Sequence, residues 1–338
     1  RSGRPGPVLV DITKDAQQGA TSSTGRRAAA TPEPVRPAVA LEADPVALIN
    51  QAERPLLLVG HGVTLGGAEA VVRELAERAH IPVATTLLGI GSFPASHPLA
   101  LGMMGMHGEA WVNQAVQDAD LLIALGMRFD DRVTGNIRTF ARQARKIHVD
   151  IDPAELNKII RVDAAIVGHV ADVVASWLPA VRPRRCEAWR HRLLERRAHA
   201  VTNDIQQAPD DGRLYAAHVI RDLWTLTGGQ ALVVTDVGQH QMWEAQYYHH
   251  DQPRSLVTSG GLGTMGFALP AAIGAKLARP DAEVWAIVGD GGFQMSIAEM
   301  ATMVQEGLAI NIAIINNGYL GMVRPVSYTH LRAHETRE

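Results

Sequence analysis

Short runs of apolar residues alternate with amphipathic stretches along most of this chain. Near its carboxyl end, the apolar runs at 283–288 and 310–315 predict two buried strands. Between them, residues 296–305 predict a helix that is opened by a capping box of Ser296 with Glu299 and ended by a glycine. The order strand, helix, strand predicts a right-handed βαβ unit whose strands are parallel neighbours.

The same alternation predicts a larger sheet in the middle of the chain. Apolar runs at 56–59, 121–125 and 147–149 predict strands, and residues 68–79 carry apolar positions at helical spacing. Strands that alternate with helices predict a parallel sheet with helices on its faces. A further run, ALVV at 231–234, predicts the first strand of a second sheet of the same kind.

The expected fold class is therefore α/β, with two doubly wound parallel-sheet domains. A chain of 338 residues exceeds the size that a single hydrophobic core usually serves. We expect a middle domain at 41–181 and a C-terminal domain at 213–324. Residues 21–40 and 182–212 are expected to be linkers.

Composition narrows the classes of partner. A net charge of -3 and an isoelectric point near 6.6 give no electrostatic case for nucleic acid or an anionic membrane surface. No apolar run approaches the length of a bilayer-spanning helix. Cys186 is the only cysteine, which excludes an internal disulfide and suits a reducing, cytoplasmic compartment. Small-molecule partners are expected.

Two short motifs follow the last two predicted strands. Gly289-Asp290-Gly291 follows the first strand and, after 24 further residues, Asn316-Asn317 follows the second. Parallel neighbours end at the same edge of a sheet, so a carboxylate and an amide oxygen should meet there. That pair suits Mg²⁺, and glycines let a phosphate approach the backbone. Each motif alone is also a common turn, but their joint occurrence favours a metal-diphosphate site.

Long segments of the chain are distinctive: GRPGPVLVDITKD, TTLLGIGSF, GMMGMHG, RFDDRVTGNI, DVGQHQMW, TSGGLGTMGFALPAAIGA and GDGGFQMS. They resemble the large, catalytic subunits of acetolactate synthases (acetohydroxyacid synthases). GDG followed about two dozen residues later by NN is the signature of thiamine diphosphate (ThDP) enzymes, to which that family belongs. The resemblance covers about residues 1–324.

The resemblance implies the cofactors and the reaction of that family. FAD is expected in the middle domain, and ThDP with Mg²⁺ in the C-terminal domain. The implied activity decarboxylates pyruvate and joins it to pyruvate or 2-oxobutyrate, giving 2-acetolactate or 2-aceto-2-hydroxybutyrate. This is the first common step of branched-chain amino acid biosynthesis. The family also implies a homodimer or tetramer of catalytic subunits, with a possible small regulatory subunit.

The resemblance assigns ThDP and metal contacts to the C-terminal domain. The residues expected to contact ThDP are Val237, Gly238, Gln239, His240, Gly263, Met265, Gly289, Asp290, Gly291, Gly292, Asn317, Tyr319, Gly321 and Met322. Asp290, Asn317 and the carbonyl of Tyr319 are expected to ligate Mg²⁺. Met265 would support the cofactor from below, and the alternative for this residue is an ordinary core methionine.

The resemblance assigns FAD contacts to the middle domain. They are Arg4, Gly60, His61, Gly62, Thr86, Leu87, Met106, His107, Gly126, Met127, Arg128, Asp130, Arg132, Val133, Asp150 and Ile151. A guanidinium suits the diphosphate of FAD, and a carboxylate at a strand end suits a ribose hydroxyl. The alternative for RFDDR is a solvated turn in which Arg128 pairs with Asp131.

The two ends of the sequence suggest that it is part of a longer one. Residues 1–20 resemble the end of an amino-terminal pyrimidine-binding domain, which in this family carries the activating glutamate. We therefore expect no catalytic acid-base residue in this chain, and no activity from the chain alone. The segment from Val326 to Thr336 is one reading frame of a common transposase sequencing adapter, so residues 325–338 are expected to be non-native read-through.

Two other functions stay open on sequence alone. One is a related ThDP carboligase or decarboxylase, such as glyoxylate carboligase, although RFDDRVTGN and GQHQMW argue against the decarboxylases. The other is a noncatalytic nucleotide-binding module, which should bind FAD without responding to ThDP.

Overall fold

The computed structural model describes residues 4, 10–20, 38–41, 43–202, 204, 207 and 212–322. These residues form two β-sheets with helices on their faces. The predicted read-through segment 325–338 and most of the predicted linker 21–40 lie outside the described residues.

The first sheet and its helices make up the middle domain. A short helix that buries no residue, α1 (Lys14–Gln18), precedes this domain. The elements of the middle domain in chain order are β1 (Ala38–Leu41), α2 (Pro45–Gln51), β2 (Pro55–Val59), α3 (His61–Leu65), α4 (Glu69–Ala79), β3 (Val83–Thr85), β4 (Ala100–Met103), α5 (Ala110–Asp118), β5 (Leu121–Leu125), α6 (Asp131–Thr134), β6 (Arg145–Asp150), β7 (Ala164–Val167), α7 (Val170–Trp177) and α8 (Glu187–Thr202). Short 3-10 turns occur at Leu87–Gly89 and Pro153–Glu155.

The second sheet belongs to the C-terminal domain. Its elements are α9 (Ala216–Leu226), β8 (Leu232–Thr235), α10 (Gln239–Tyr247), β9 (Leu256–Thr258), α11 (Ala268–Ala278), β10 (Val284–Gly289), α12 (Asp290–Ser296), α13 (Met300–Gln305) and β11 (Asn311–Ile315). The strand order is β11-β10-β8-β9, and all of the pairings are parallel. The predicted βαβ unit is present, because β10 and β11 are adjacent and parallel.

The middle sheet has the order β1-β7-β6-β5-β2-β3-β4. From β2 the chain proceeds outward through β3 and β4, then returns to β5 on the other side of β2. All of its pairings are parallel except that of β1 with β7, which is antiparallel. The doubly wound α/β fold is confirmed, with one antiparallel edge strand added to it.

The alternation of side chains explains why helices cover both faces of the middle sheet. β2 and β5 are buried along their whole length. In β2, Leu57 and Val59 join a core with α4 and α7, whereas Leu56 and Leu58 join a second core with α5 and α8. Successive residues of a strand point to opposite faces, so each apolar run supplies two cores at once.

The predicted helix after β10 starts earlier than the sequence suggested. α12 begins directly at Asp290, a 3-10 turn interrupts the helix at Ile297–Glu299, and α13 continues to Gln305. The side chain of Ser296 makes no capping hydrogen bond, and its hydroxyl is buried without a partner among the described residues. The capping-box prediction was wrong, because residues that look like a turn in isolation continue helically from the strand.

Both predicted linkers contribute to the middle domain. β1, at residues 38–41, is the edge strand of its sheet. In α8, Leu193 is buried, and the indole N–H of Trp189 donates to the carbonyl of Pro55 at 3.1 Å. The middle sheet thus receives a strand that begins before residue 41, and a helix from after residue 181 packs on it. In the segment that resembles the end of a pyrimidine-binding domain, residues 10–12 are exposed and have no strand conformation.

No helix in the described part of the chain combines the length and the apolar character needed to cross a membrane.

Candidate active site

The carboxylate of Asp236 joins two loops at the carboxyl end of β8. Asp236 is completely buried. Its Oδ1 accepts hydrogen bonds from the backbone N–H of Val237 at 2.8 Å and of Gly266 at 3.0 Å. Its Oδ2 accepts one from the N–H of Ala268, also at 3.0 Å. These donors compensate for burial of the carboxyl group and fix the loop after β8 against the turn that leads into α11.

The imidazole of His240 fills the space between two glycines. A Cβ on Gly238 would lie 2.6 Å from the ring Cε1, and a Cβ on Gly289 would lie 2.9 Å from the same atom. His240 is 6% exposed, and its Nε2 has no hydrogen-bond partner among the described residues. Burial lowers the pKa of His240 below its ordinary value. A neutral ring with an unpaired nitrogen fits a ligand that brings its own hydrogen-bonding group.

Gln239 connects the start of α10 to the segment after β11. Its Oε1 accepts a hydrogen bond from Nδ2 of Asn317 at 2.8 Å. A Cβ on Gly321 would overlap the same oxygen. Oδ1 of Asn317 accepts from the backbone N–H of Tyr319 at 3.0 Å. Gln239 and His240 thus lie in the first turn of α10, where Gln239 contacts the segment after β11 and His240 contacts the end of β10.

Asp290 and Asn317 lie at adjacent strand ends. Gly289, the last residue of β10, is opposite Ile315, the last residue of β11, and each motif follows directly. The expectation that the two motifs share one sheet edge is confirmed by this register. The described residues hold no group of three or more His, Cys, Asp and Glu side chains arranged for a metal. One carboxylate with amide and carbonyl oxygens instead suits Mg²⁺, which keeps waters and phosphate oxygens as ligands.

Two glycines at the start of α12 let side chains from neighbouring loops pack against the helix backbone. A Cβ on Gly292 would lie 2.5 Å from Oδ1 of Asp236. A Cβ on Gly291 would lie 3.0 Å from Cδ2 of Leu320 and 3.7 Å from Cε of Met265. Met265 is only partly buried, and its Cε lies at the start of α12.

Most of the residues expected to contact ThDP therefore gather at the ends of β8, β10 and β11. Gly263 belongs to the same group, because a Cβ there would contact Cγ1 of Val237 at 3.8 Å. Met322 follows Gly321 in the chain. Sequence reasoning missed Asp236, which organises the group; its signal was a carboxylate placed directly after a buried strand.

In the middle domain, the winding of the sheet reverses between β2 and β5, the position at which open α/β sheets bind ligands. Gly60 follows β2, and Gly126 follows β5. The N–H of Gly62 donates to the carbonyl of Gly126 at 2.8 Å, and a Cβ on Gly62 would lie 2.6 Å from Cα of Gly126. These glycines let the two loops pack together, and backbone atoms occupy the space that a side chain would need.

Other residues expected to contact FAD come from the neighbouring strand ends. Thr86 and Leu87 follow β3, whereas Asp150 ends β6 and Ile151 follows it. Burial raises the pKa of Asp150 above its ordinary value. Nη1 of Arg4 lies 3.0 Å from a carboxylate oxygen of Glu155, so this carboxylate competes with any diphosphate for the guanidinium.

A second loop approaches from the carboxyl end of β4. The N–H of Met106 donates to the carbonyl of Arg132 at 2.7 Å. Burial, and then the charge of Arg132, lower the pKa of His107. The carbonyl of His107 accepts from Nε2 of Gln246 in α10 at 2.8 Å. This loop therefore links the middle domain to the C-terminal one.

The charged motif RFDDR pairs differently from the solvated turn considered above. Nη2 of Arg128 lies 3.3 Å from Oδ2 of Asp130, and Nη1 of Arg132 lies 3.3 Å from Oδ2 of Asp131. The pairing of Arg128 with Asp131 was therefore wrong. Asp130 also caps α6 by accepting from the N–H of Val133 at 3.2 Å.

Family models match both domains. Residues 43–176 match the thiamine pyrophosphate enzyme central domain, and residues 236–337 match the thiamine pyrophosphate enzyme C-terminal TPP binding domain. Thiamine pyrophosphate is ThDP. The chain is also 46% identical over 333 residues to an acetolactate synthase of Mycobacterium bovis. The chain belongs to the acetolactate synthase family of ThDP enzymes.

Other relatives agree with this assignment. The chain is 47% identical over 340 residues to an acetolactate synthase of Mycobacterium leprae, and 46% identical over 325 residues to the acetolactate synthase isozyme 1 large subunit of Escherichia coli. Each alignment covers 96% of this chain. The chain spans about half of the length of these relatives: 53% of the two mycobacterial proteins and 57% of the Escherichia coli protein. The resemblance inferred from the sequence motifs is confirmed.

Proposed function

We propose that the cluster at the ends of β8, β10 and β11 binds the diphosphate of ThDP together with Mg²⁺. His240 carries this proposal, because its buried Nε2 lacks a partner in the described part of the chain and lies beside Gly289. Asp290, the amide oxygen of Asn317 and the carbonyl of Tyr319 would ligate the metal. Gly291 and Gly292 would let the diphosphate approach the first turn of α12.

The remaining cluster residues would hold the organic part of the cofactor. Gly263 and Met265 border the same edge from the loop before α11, and Met265 reaches the start of α12. Gln239 would keep Asn317 oriented, since the two side chains are hydrogen-bonded. When bound, ThDP supplies the chemistry that removes carbon dioxide from a 2-oxo acid, and the protein contributes orientation and exclusion of water.

We infer that the protein to which this chain belongs makes acetolactate. It would decarboxylate pyruvate and join it to pyruvate or 2-oxobutyrate, giving 2-acetolactate or 2-aceto-2-hydroxybutyrate for branched-chain amino acid synthesis. Its similarity to acetolactate synthases supports this activity, and the designation of the Escherichia coli relative as a large subunit supports a smaller partner subunit. A homodimer or tetramer of catalytic subunits is proposed with it.

We propose that the middle domain binds FAD over the loops that follow β2 and β5. Asp150, at the end of β6, would meet a ribose hydroxyl, and Thr86 and Arg132 would be further contacts. The fit is partial, because the glycines of these loops are packed against backbone rather than facing open space. FAD would therefore lie over these loops, and not between them.

A chimeric enzyme tests the activity. This chain replaces the matching 57% of the Escherichia coli isozyme 1 large subunit, whose own segments complete the protein. Acetolactate formation from pyruvate that requires added ThDP and Mg²⁺ is the expected result. Product from glyoxylate but not from pyruvate would favour a glyoxylate carboligase, and flavin binding without any ThDP response would favour a noncatalytic module.

A further inference from the structure

Hydrogen bonds join three buried side chains: Glu244 in α10, His250 and Ser255. Oε1 of Glu244 lies 2.6 Å from Nε2 of His250, and Nδ1 of His250 lies 2.7 Å from Oγ of Ser255. Ser255 in turn donates to the carbonyl of Gln252 at 2.7 Å. Glu244 and His250 are 0% and 1% exposed. The chain of bonds ties the helix to residues 248–255, which lead into β9.

The direction of each bond follows from the hydrogens available. Ser255 has one hydroxyl hydrogen, which goes to Gln252, so Nδ1 of His250 must donate to the serine oxygen. The 2.6 Å separation of Nε2 from the Glu244 carboxyl is a hydrogen-bonding distance. Both ring nitrogens are therefore engaged, and the imidazole has a single orientation.

The order serine, histidine, glutamate resembles a nucleophile, its base and an orienting acid. Here the serine cannot serve as a nucleophile. Its proton is directed to Gln252 rather than to His250, and Ser255 is 8% exposed. The network consequently has a positioning role and no hydrolytic one.

The backbone beside His250 carries contacts to the middle domain. The N–H of Ala95 donates to the carbonyl of His250 at 3.1 Å, and the N–H of Ser96 donates to the carboxylate of Asp251 at 2.8 Å. Both donors belong to the loop between β3 and β4. These bonds require residues 250 and 251 to stay where the network holds them.

The network is a costly means of stabilising the fold. Oε2 of Glu244 is buried without a hydrogen-bond partner in the described part of the chain. Apolar side chains of similar volume stabilise a buried position as well as a polar pair does, whereas a polar pair also specifies geometry. We infer that Glu244 is a positioning residue that, through His250 and Ser255, fixes the C-terminal domain against the middle domain.

The position of α10 gives this latch of Glu244, His250 and Ser255 a consequence for both sites. His240 lies at one end of α10, and Gln246, near the other end, holds the carbonyl of His107. The latch therefore fixes the position of the loop at His107 relative to the carboxyl edge of the second sheet. This consequence for catalysis depends on the proposed function, but the latch itself does not.

Hydrogen exchange in the full 338-residue chain tests the latch. Glu244→Ala removes the partner of His250, and a buried bond to a charged group contributes about 1.5–3 kcal/mol. Exchange at the Ala95 and Ser96 amides is therefore expected to rise about ten- to hundredfold. The amides of Leu57 and Leu232, which are bonded within the two sheets, should keep their wild-type rates.

The conservative variant Glu244→Gln distinguishes a positioning role of Glu244 from a general effect on stability. Glu244→Gln has the same shape, and its amide can donate to Nε2 of His250, so exchange at Ala95 and Ser96 should return to near the wild-type rate. Nitrogen NMR of His250 should show a protonated Nδ1 in the wild type. Glu306→Ala, which changes an exposed glutamate after α13, should have no effect.

The inference fails if Glu244→Ala leaves exchange at Ala95 and Ser96 unchanged, or if Glu244→Gln exchanges as fast as Glu244→Ala. Should Glu244→Ala also speed exchange at Leu57, the deciding variant is Ser255→Ala, which removes the bonds of Ser255 to His250 and to Gln252 but leaves Glu244 paired with His250. If exchange in Ser255→Ala is faster at Ala95 and Ser96 but unchanged at Leu57, the latch is supported. If exchange at Ala95 and Ser96 is unchanged in Ser255→Ala, the latch is overturned. None of these outcomes depends on ThDP or FAD binding.

Discussion

The carboxylate of Asp236 lies directly against Gly292, so that a Cβ at position 292 would come 2.5 Å from Oδ1. Asp236 follows β8, and Gly292 lies in the first turn of α12 after β10. The contact ties two adjacent strand ends together at the proposed cofactor site. It explains the glycine here as a requirement of packing against a buried carboxylate.

Gly292→Ala should destabilise the C-terminal domain. The added methyl group overlaps Asp236, and overpacking of this kind costs about 1–3 kcal/mol. Urea denaturation measures the change in the free energy of unfolding. Gly274→Ala is the matched control, because a Cβ there meets nothing within 4 Å and alanine favours the helix α11. Equal losses in the two variants would contradict the role assigned to Asp236.

Asp236→Asn should also weaken the cofactor site. An amide has one acceptor oxygen, so its NH₂ group would face the backbone donor of either Gly266 or Ala268. One unsatisfied buried donor costs about 1–3 kcal/mol. The expected result is a lower urea midpoint with weaker ThDP binding. A variant with wild-type stability and affinity would show that the loops keep their places without Asp236.

His240 should make stability depend on pH. Because burial lowers its pKa in the folded protein, the unfolded state binds more protons as pH falls through the ordinary histidine value of 6.5. Its contribution is therefore present above that value and is lost toward pH 5. His240→Gln should flatten the dependence of the unfolding free energy between about pH 7 and 5. His169→Gln, at an exposed histidine, is the comparison, and a larger flattening there would contradict the assignment.

Gly60→Ala should impair flavin binding in the chimera. A Cβ on Gly60 would overlap Met127 and the carbonyl of Gly126, displacing the loop after β5. We expect flavin affinity to fall at least tenfold, which fluorescence titration measures, while ThDP binding is unchanged. Normal flavin affinity in this variant would show that FAD does not bind over the loops after β2 and β5.

The elements most clearly encoded by the sequence are the continuous apolar strands. β2 and β5 are buried on both faces, so their runs mark them without any knowledge of their neighbours. α12 was placed too far along the chain because DGGFQMS has weak local helical preference, and attachment to β10 overrides it. β1 is an antiparallel edge strand that forms by pairing with β7. A run of four residues does not predict this pairing.

The candidate cofactor residues can be named from the sequence where a motif marks them. The spacing of Asp290 and Asn317 predicts that they lie at one sheet edge, because parallel neighbouring strands end together. Asp236 and Glu244 were missed as organising residues because their partners are backbone donors and a histidine brought close only by the tertiary fold. No periodicity in the sequence encodes such contacts.

The most direct test of the central claim is ThDP titration of the chimera by calorimetry, with Mg²⁺ and with a chelator, beside Asp290→Ala. We predict saturable ThDP binding that requires Mg²⁺ and is lost in Asp290→Ala, with flavin binding retained. Asp281→Ala, an exposed aspartate before β10, should bind as the wild type does. Unchanged ThDP affinity in Asp290→Ala would contradict the metal-diphosphate site.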